Sequence, residues 1–185
     1  MESLHAGAGF NRGRREWLQR CSIAAGSAAF FATRAFAASG EEISRTAEAI
    51  HQEVIFQASA KRIYEALLDA TEFQKLERQS AAAKSTDVNT HPAAIERDAG
   101  GAFSLFGGYI IGRQLELIAN QRIVQAWRVQ SWPSGIYSIV KFELGAQGTG
   151  TRLVFDHTGF PAGLAEHLAE GWQVNYWEPL RKILV

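Results

Sequence analysis

The sequence predicts an α+β fold, a curved antiparallel sheet of seven strands around one long C-terminal helix, with two short helices after the first strand. Three observations predict it. After Pro92, six stretches alternate apolar and polar side chains and are separated by short, glycine-rich turns, which is the pattern of an antiparallel meander. Before them, one further alternating stretch is followed by two capped amphipathic segments. Near the end, Leu164, Leu168, Trp172, Tyr176 and Leu180 recur every fourth residue, so a helix would carry them as one broad apolar stripe.

The elements follow in order. "AIHQEVIFQA" from Ala49 alternates Ile50, Gln52, Val54 and Phe56 against His51, Glu53, Ile55 and Gln57, a strand with an apolar face. Ser59 caps "AKRIYEALLDA", in which Ile63, Leu67 and Leu68 share one side, and Thr71 is the expected cap of a second short helix reaching Arg78. "SAAAKSTDVNTHP" has no period and reads as a loop. The meander comprises "AAIERD", "AFSLF", "YIIGRQLELI" with a bulge expected at Gly112, "RIVQAWRV", "IYSIVKFEL" and "TRLVFDH". Gly100-Gly101 and Gly107-Gly108 make turns, and "QSWPSG" is a loop holding Trp132. The last helix is expected over residues 162–184, bent near Asn175 because Pro179 lacks the N–H that would bond there.

Residues 1–37 have the layout of an export leader: a basic segment, a weakly apolar stretch and an Ala-Phe-Ala triplet. Arg14 and Arg15, followed by Trp17-Leu18, resemble a twin-arginine signal, with cleavage expected after Ala37 and an exported or periplasmic destination. The apolar run is shorter than the roughly 20 residues a membrane span needs, so no stable membrane anchor is expected. Residues 38–48 read as a flexible segment and 49–185 as the single domain. The lone Cys21 can make neither an internal disulfide nor a cysteine metal site. Of 19 basic and 19 acidic residues, five and two lie in the leader, so the remainder is mildly acidic. That charge gives no footprint for nucleic acid.

The residues point to a cavity more than to catalysis. Phe103, Leu115, Leu117, Trp127, Val129, Val140, Phe142, Leu153 and Phe155 fall on the expected inner strand faces, opposite Trp172, Tyr176 and Leu180 on the helix. Gln125 shares a face with Trp127, and Arg113 shares one with Leu115 unless the expected bulge reverses it. A few polar groups in an apolar pocket are what orients a small hydrophobic ligand. Trp172 and Tyr176 are expected to line that pocket, Gly171 to let the helix approach the sheet, and Trp177 to pack outside or against a neighbour.

His51 and His157 lie on strands expected to be neighbours and could approach each other as a metal or acid-base pair, but two strand histidines with satisfied hydrogen bonds are the favoured account. The spacing of Glu166, His167 and Glu170 does not make a zincin motif, the turn glycines precede strands rather than helices, and no serine sits in a nucleophile elbow. Asp156 and Glu143 are expected to face outward. No cofactor or metal is called for.

"FGGYIIGRQLELIANQRIVQAWR", "SWPSG", "GTRLVFDHTGFP" and "GWQVNYWEPLRKIL", in that order, resemble the carboxy-terminal domain of the activators of the ninety-kilodalton heat-shock protein ATPase. The resemblance runs from Ala49 to Leu184 and implies the START-like helix-grip fold, a curved sheet gripping its last helix. Functions in that superfamily range over lipid carriers, hormone receptors, aromatic cyclases and co-chaperone domains. The first reading is an exported, non-enzymatic binder of a small hydrophobic molecule, with His157 among the ligand-binding residues. A second is a cytoplasmic co-chaperone-like module with a chaperone as partner. A third is an enzyme of cyclase or hydrolase type using His157 or Arg113.

Overall fold

The computed structural model describes residues 48–184, so the expected leader and residues 38–47 lie outside the described residues. Strand β1 (Ala49–Phe56) leads into helices α1 (Ala60–Leu68) and α2 (Ala70–Gln79) and a 3-10 turn at Ala81–Lys84. Strands β2 (Ala94–Ile95), β3 (Ala102–Leu105), β4 (Ile110–Ile118), β5 (Arg122–Val129), β6 (Ser138–Gln147) and β7 (Gly150–Thr158) follow. The chain then forms α3 (Ala165–Trp172), a π-helical turn (Gln173–Trp177) and α4 (Glu178–Ile183). The seven strands make one antiparallel sheet in the order β1-β7-β6-β5-β4-β3-β2. This is the expected helix-grip architecture.

Local chemistry explains the first helices. Ser59 caps α1 by accepting the Arg62 N–H at 3.2 Å. The second cap is Asp69, two residues before the expected Thr71: its carboxylate accepts the N–H groups of Thr71 and Glu72, both at 3.0 Å. Asp69 also donates its own N–H to the Glu65 carbonyl, so one residue closes α1 and opens α2.

Alternation holds through the sheet. On β5, Ile123, Gln125, Trp127 and Val129 are the buried residues, and Phe142 on β6 pairs with Phe155 on β7. The departure is on β4, where the register shifts between Gln114 and Glu116. The bulge therefore sits at Leu115 and not at Gly112. Up to it, Ile110, Gly112 and Gln114 face inward; beyond it Leu117, paired with Ile123, is partly buried against the core. Leu115 and Arg113 do share a face, but it is the outer one: Leu115 is 48% exposed and Arg113 donates to the Gly100 carbonyl at the surface. Gly112 answers a different need, because a Cβ there would lie 2.2 Å from the Phe103 ring and 2.1 Å from the Ala126 carbonyl.

The last helix is interrupted by its π-turn, in which the Glu178 N–H bonds the Gln173 carbonyl five residues back. Pro179 has no N–H to offer Asn175, so the α-helical pattern would be broken at this point anyway. One extra residue in a turn rotates everything after it by about 100°. Trp177 is consequently buried, with 0% exposure, where an uninterrupted helix turned it outward. Its ring stacks on Trp172 at 5.7 Å and its indole N–H donates to Gln52 Oε1 at 2.6 Å.

Candidate functional site

Rings fill most of the space between sheet and helix. Phe155 contacts Trp172 at 4.3 Å between centroids, Phe142 lies 5.3 Å from Phe155, and Trp172 lies 4.1 Å from Tyr176. Phe103, Gln125, Val140, Phe142, Phe155, His157 and Leu180 are all buried in this packing. A void beside Phe103, Gln125 and Phe142 measures about 10 Å³, the space of one water.

A larger cavity of about 300 Å³ opens at one end. Its walls come from α3 and the π-turn (Leu164, His167, Leu168, Gly171, Trp172, Asn175, Tyr176) and from the β3–β4 hairpin (Phe106, Tyr109, Ile110). The end of β5 and the following loop complete it with Trp127, Val129, Ser131 and Trp132, and Ala82 stands at the edge. Three residues expected at a ligand site, Trp127, Trp172 and Tyr176, meet here. Sequence patterning missed Phe106 and Tyr109, because hairpin turns have no period, and Ile110, because the bulge at Leu115 reverses the face inferred from Leu115 and Leu117. Trp132 was a usable signal, being a large aromatic stranded in a short polar loop.

Contrary to the sequence expectation, Gly171 is not where the helix passes close to the sheet. A Cβ built on it would meet only Asn175 Nδ2, at 4.0 Å.

Two polar groups beneath the cavity are arranged in detail. Trp172 donates its indole N–H to His157 Nδ1 at 3.0 Å, so the neutral imidazole must carry its hydrogen on Nε2. Nε2 then donates to Ser138 Oγ at 2.7 Å, and Ser138 donates to the Trp127 carbonyl at 2.9 Å. Burial pushes His157 down to about 4, keeping it neutral. His51 sits on the neighbouring strand but faces outward, opposite Asp156, to which it hydrogen-bonds at 2.7 Å. The two imidazoles are thus on opposite sides of the sheet and form no pair. Asp156 and Glu143 are held on the outer face by Lys141, at 3.0 and 3.1 Å.

The second group is Glu77 on α2, buried with 0% exposure. It accepts the backbone N–H of Phe106, whose φ of 52° is left-handed, and thereby fixes the turn that supplies a cavity wall. Burial pushes its carboxyl up to about 7. Glu77 Oε2 is buried without a partner among the described residues, while Trp127 Nε1 and the Tyr176 hydroxyl are buried beside each other. Among those residues there is no cluster of three or more groups suited to a metal ion, and no helix long and apolar enough to cross a membrane.

The family model for activator of Hsp90 ATPase homolog 1-like protein matches residues 57–185, which is most of the chain and all but the first strand of the sheet. The chain belongs to this activator-homologue family. Among curated relatives, the activator of 90 kDa heat shock protein ATPase homolog 2 of Mus musculus is 26% identical over 136 residues, 74% of this chain and 38% of that protein. The homolog 1 protein of Homo sapiens is 33% identical over 94 residues, 50% of this chain and 28% of that one. The chain therefore spans well under half the length of these relatives. Among solved structures, an HSP90 activator from Plasmodium falciparum superposes with a TM-score of 0.64 at 25% identity, covering 74% of this chain and 95% of that one. The Aha1 dimer from Colwellia psychrerythraea shares the fold, with a TM-score of 0.59 at 18% identity over 74% of this chain and 96% of that one.

Proposed function

We propose that this activator-family domain is a co-chaperone-like module that binds an Hsp90-type chaperone and raises its ATPase rate. The observation that carries this reading is the match to a named activator homologue along 136 residues, nearly the whole domain. The direct test is ATP turnover by an Hsp90-type chaperone from the same host, with and without the full chain. A saturable rise in turnover is expected; unchanged turnover together with no complex on a sizing column overturns the reading.

The cavity favours a second reading, an exported binder of a small hydrophobic molecule. Its 300 Å³ lies at the lower end of ordinary ligand pockets, and its walls are mostly aromatic and aliphatic. The two readings part on location, since a cytosolic chaperone is not available to an exported protein. The Arg14-Arg15 leader motivates export, and the amino terminus of the protein recovered from its host distinguishes them: a start at Ala38 supports export, whereas retained leader residues support the chaperone module.

A further inference from the structure

We propose that one corner of the sheet's outer face, around Ala126 on β5, docks a short peptide segment that combines carboxylates with apolar side chains. The proposal is independent of both functional readings. Strand register builds the corner. Arg113 on β4 and Ile139 on β6 are the direct cross-strand partners of Ala126, and Ile111 pairs with Arg128 two residues further along β5. The single methyl of Ala126 thus stands between longer side chains. Leu115 shares the outer face with Arg113, and the ring of Tyr137, just ahead of β6, lies 5.7 Å from the Arg128 guanidinium.

Two observations single out this corner. Of the five large apolar side chains exposed among the described residues, Leu115, Tyr137 and Ile139 are gathered here. The cations also differ from those on the rest of the face. There, Arg152 is matched by Glu53, Lys141 by Asp156 and Glu143, and Arg122 by Glu143 and Glu116. Arg113 and Arg128 have only carbonyl partners among the described residues: Gly100 accepts from Arg113 at 2.8 Å, and Trp132 from Arg128 at 2.7 Å. Those bonds hold the guanidiniums in place but leave their charge unmatched and some of their N–H donors unused. A carboxylate that meets them finds donors already oriented, so the ordering cost of pairing is small. Arginine and tyrosine beside aliphatic side chains are also the residue types enriched where proteins meet. A lipid surface fits less well, because it would cover the carboxylates of the neighbouring ion pairs too.

Fluorescence anisotropy of labelled hexapeptides against the full chain tests the docking. The probes carry a central leucine and phenylalanine flanked by glutamates, the same pair flanked by lysines, or six glutamates. The first should bind at least about fivefold more tightly than either of the others, and should weaken as salt is raised from about 50 to about 500 mM. Arg113→Gln, which keeps a donor for the Gly100 carbonyl, should weaken it by about threefold or more, as should the double variant Tyr137→Ser/Ile139→Thr. Ile55→Thr, at the β1 edge of the same face, should leave it unchanged. Melting curves of each variant separate lost binding from lost folding, and the salt dependence of the unmodified chain stands whether or not a variant folds. Preference for the lysine peptide, or no binding of any probe, overturns the proposal. Binding that ignores both corner variants places the peptide elsewhere and overturns it as well. Sedimentation showing dimers that dissociate in the corner variants would assign the corner to a second copy instead, and binding to phosphatidylglycerol vesicles but not to the peptide would assign it to a lipid surface.

Discussion

Trp172 and His157 are joined by a hydrogen bond of 3.0 Å in which the helix supplies the donor and the last strand the acceptor. The bond ties the gripped helix to the sheet and fixes the tautomer that continues through Ser138 to the Trp127 carbonyl. Replacing His157 by phenylalanine keeps a ring but strands the Trp172 N–H, while Ser138 keeps its bond to the Trp127 carbonyl. A buried orphan donor costs about 1–3 kcal/mol. Trp172→Phe removes the donor, so the second substitution should cost less when the first is present. Urea unfolding of both single variants and the double variant should give a coupling of about 1 kcal/mol or more. Additive losses would show that the two residues contribute only as packing.

Glu77 and His157 drive stability in opposite directions with pH. Burial raises the Glu77 carboxyl from 4.5 to about 7, so its contribution is fully present below 4.5 and is lost as pH rises through 7. His157 is lowered from 6.5 to about 4, so its contribution is present above 6.5 and is lost as pH falls toward 4. Between pH 4.5 and 6.5 the two offset each other. Glu77→Gln, which keeps an acceptor for the Phe106 N–H, leaves only the histidine and should become relatively more stable as pH rises across that window. His157→Gln removes the histidine contribution and should lose stability relative to wild type as pH rises from about 4 to 6.5. Taking each variant's urea midpoint relative to wild type cancels the other carboxylates. Parallel curves for all three proteins would count against both assignments.

Trp177 shows the largest effect of a residue whose placement was not legible from spacing. Five positions separate it from Trp172, and an uninterrupted α-helix sends such a pair to different sides. The π-turn brings them into a stack at 5.7 Å with an interplanar angle of 22°. Trp177→Ala should therefore cost about 3–5 kcal/mol, as for a fully buried aromatic, against a few tenths for a surface tryptophan. Thermal or urea unfolding distinguishes the two outcomes directly.

The legible features were those with a period. The meander of the later strands, the two short helices and the stripe of Leu168, Trp172, Tyr176 and Leu180 follow from alternation, short turns and four-residue spacing, and their burial agrees. Single-residue insertions are invisible to such patterns. The bulge at Leu115 split a Leu115, Leu117 pair that looked inward-facing, and the π-turn relocated Trp177. Tertiary approach is equally silent: nothing near Glu77 in the chain announces that it will meet Phe106, 29 residues away. The cavity falls in the same class, since half its wall is hairpin and loop brought together only by folding.

Two glycines make the last prediction, because the same substitution should act with opposite signs. At Gly112, alanine would place its Cβ against the Ala126 carbonyl and the Phe103 ring at 2.1 and 2.2 Å. Backbone cannot yield there without opening the pairing with Trp127, so Gly112→Ala should destabilise by about 1–3 kcal/mol, the range of overpacking. At Gly171 the space is open, the backbone is helical, and Gly171→Ala should stabilise by about 0.4–1 kcal/mol through the loss of freedom in the unfolded chain. Guanidinium unfolding of both variants is sufficient. Destabilisation at both positions would mean that Gly171 is held by packing after all, and stabilisation at both would mean that the Phe103 ring over Gly112 gives way easily.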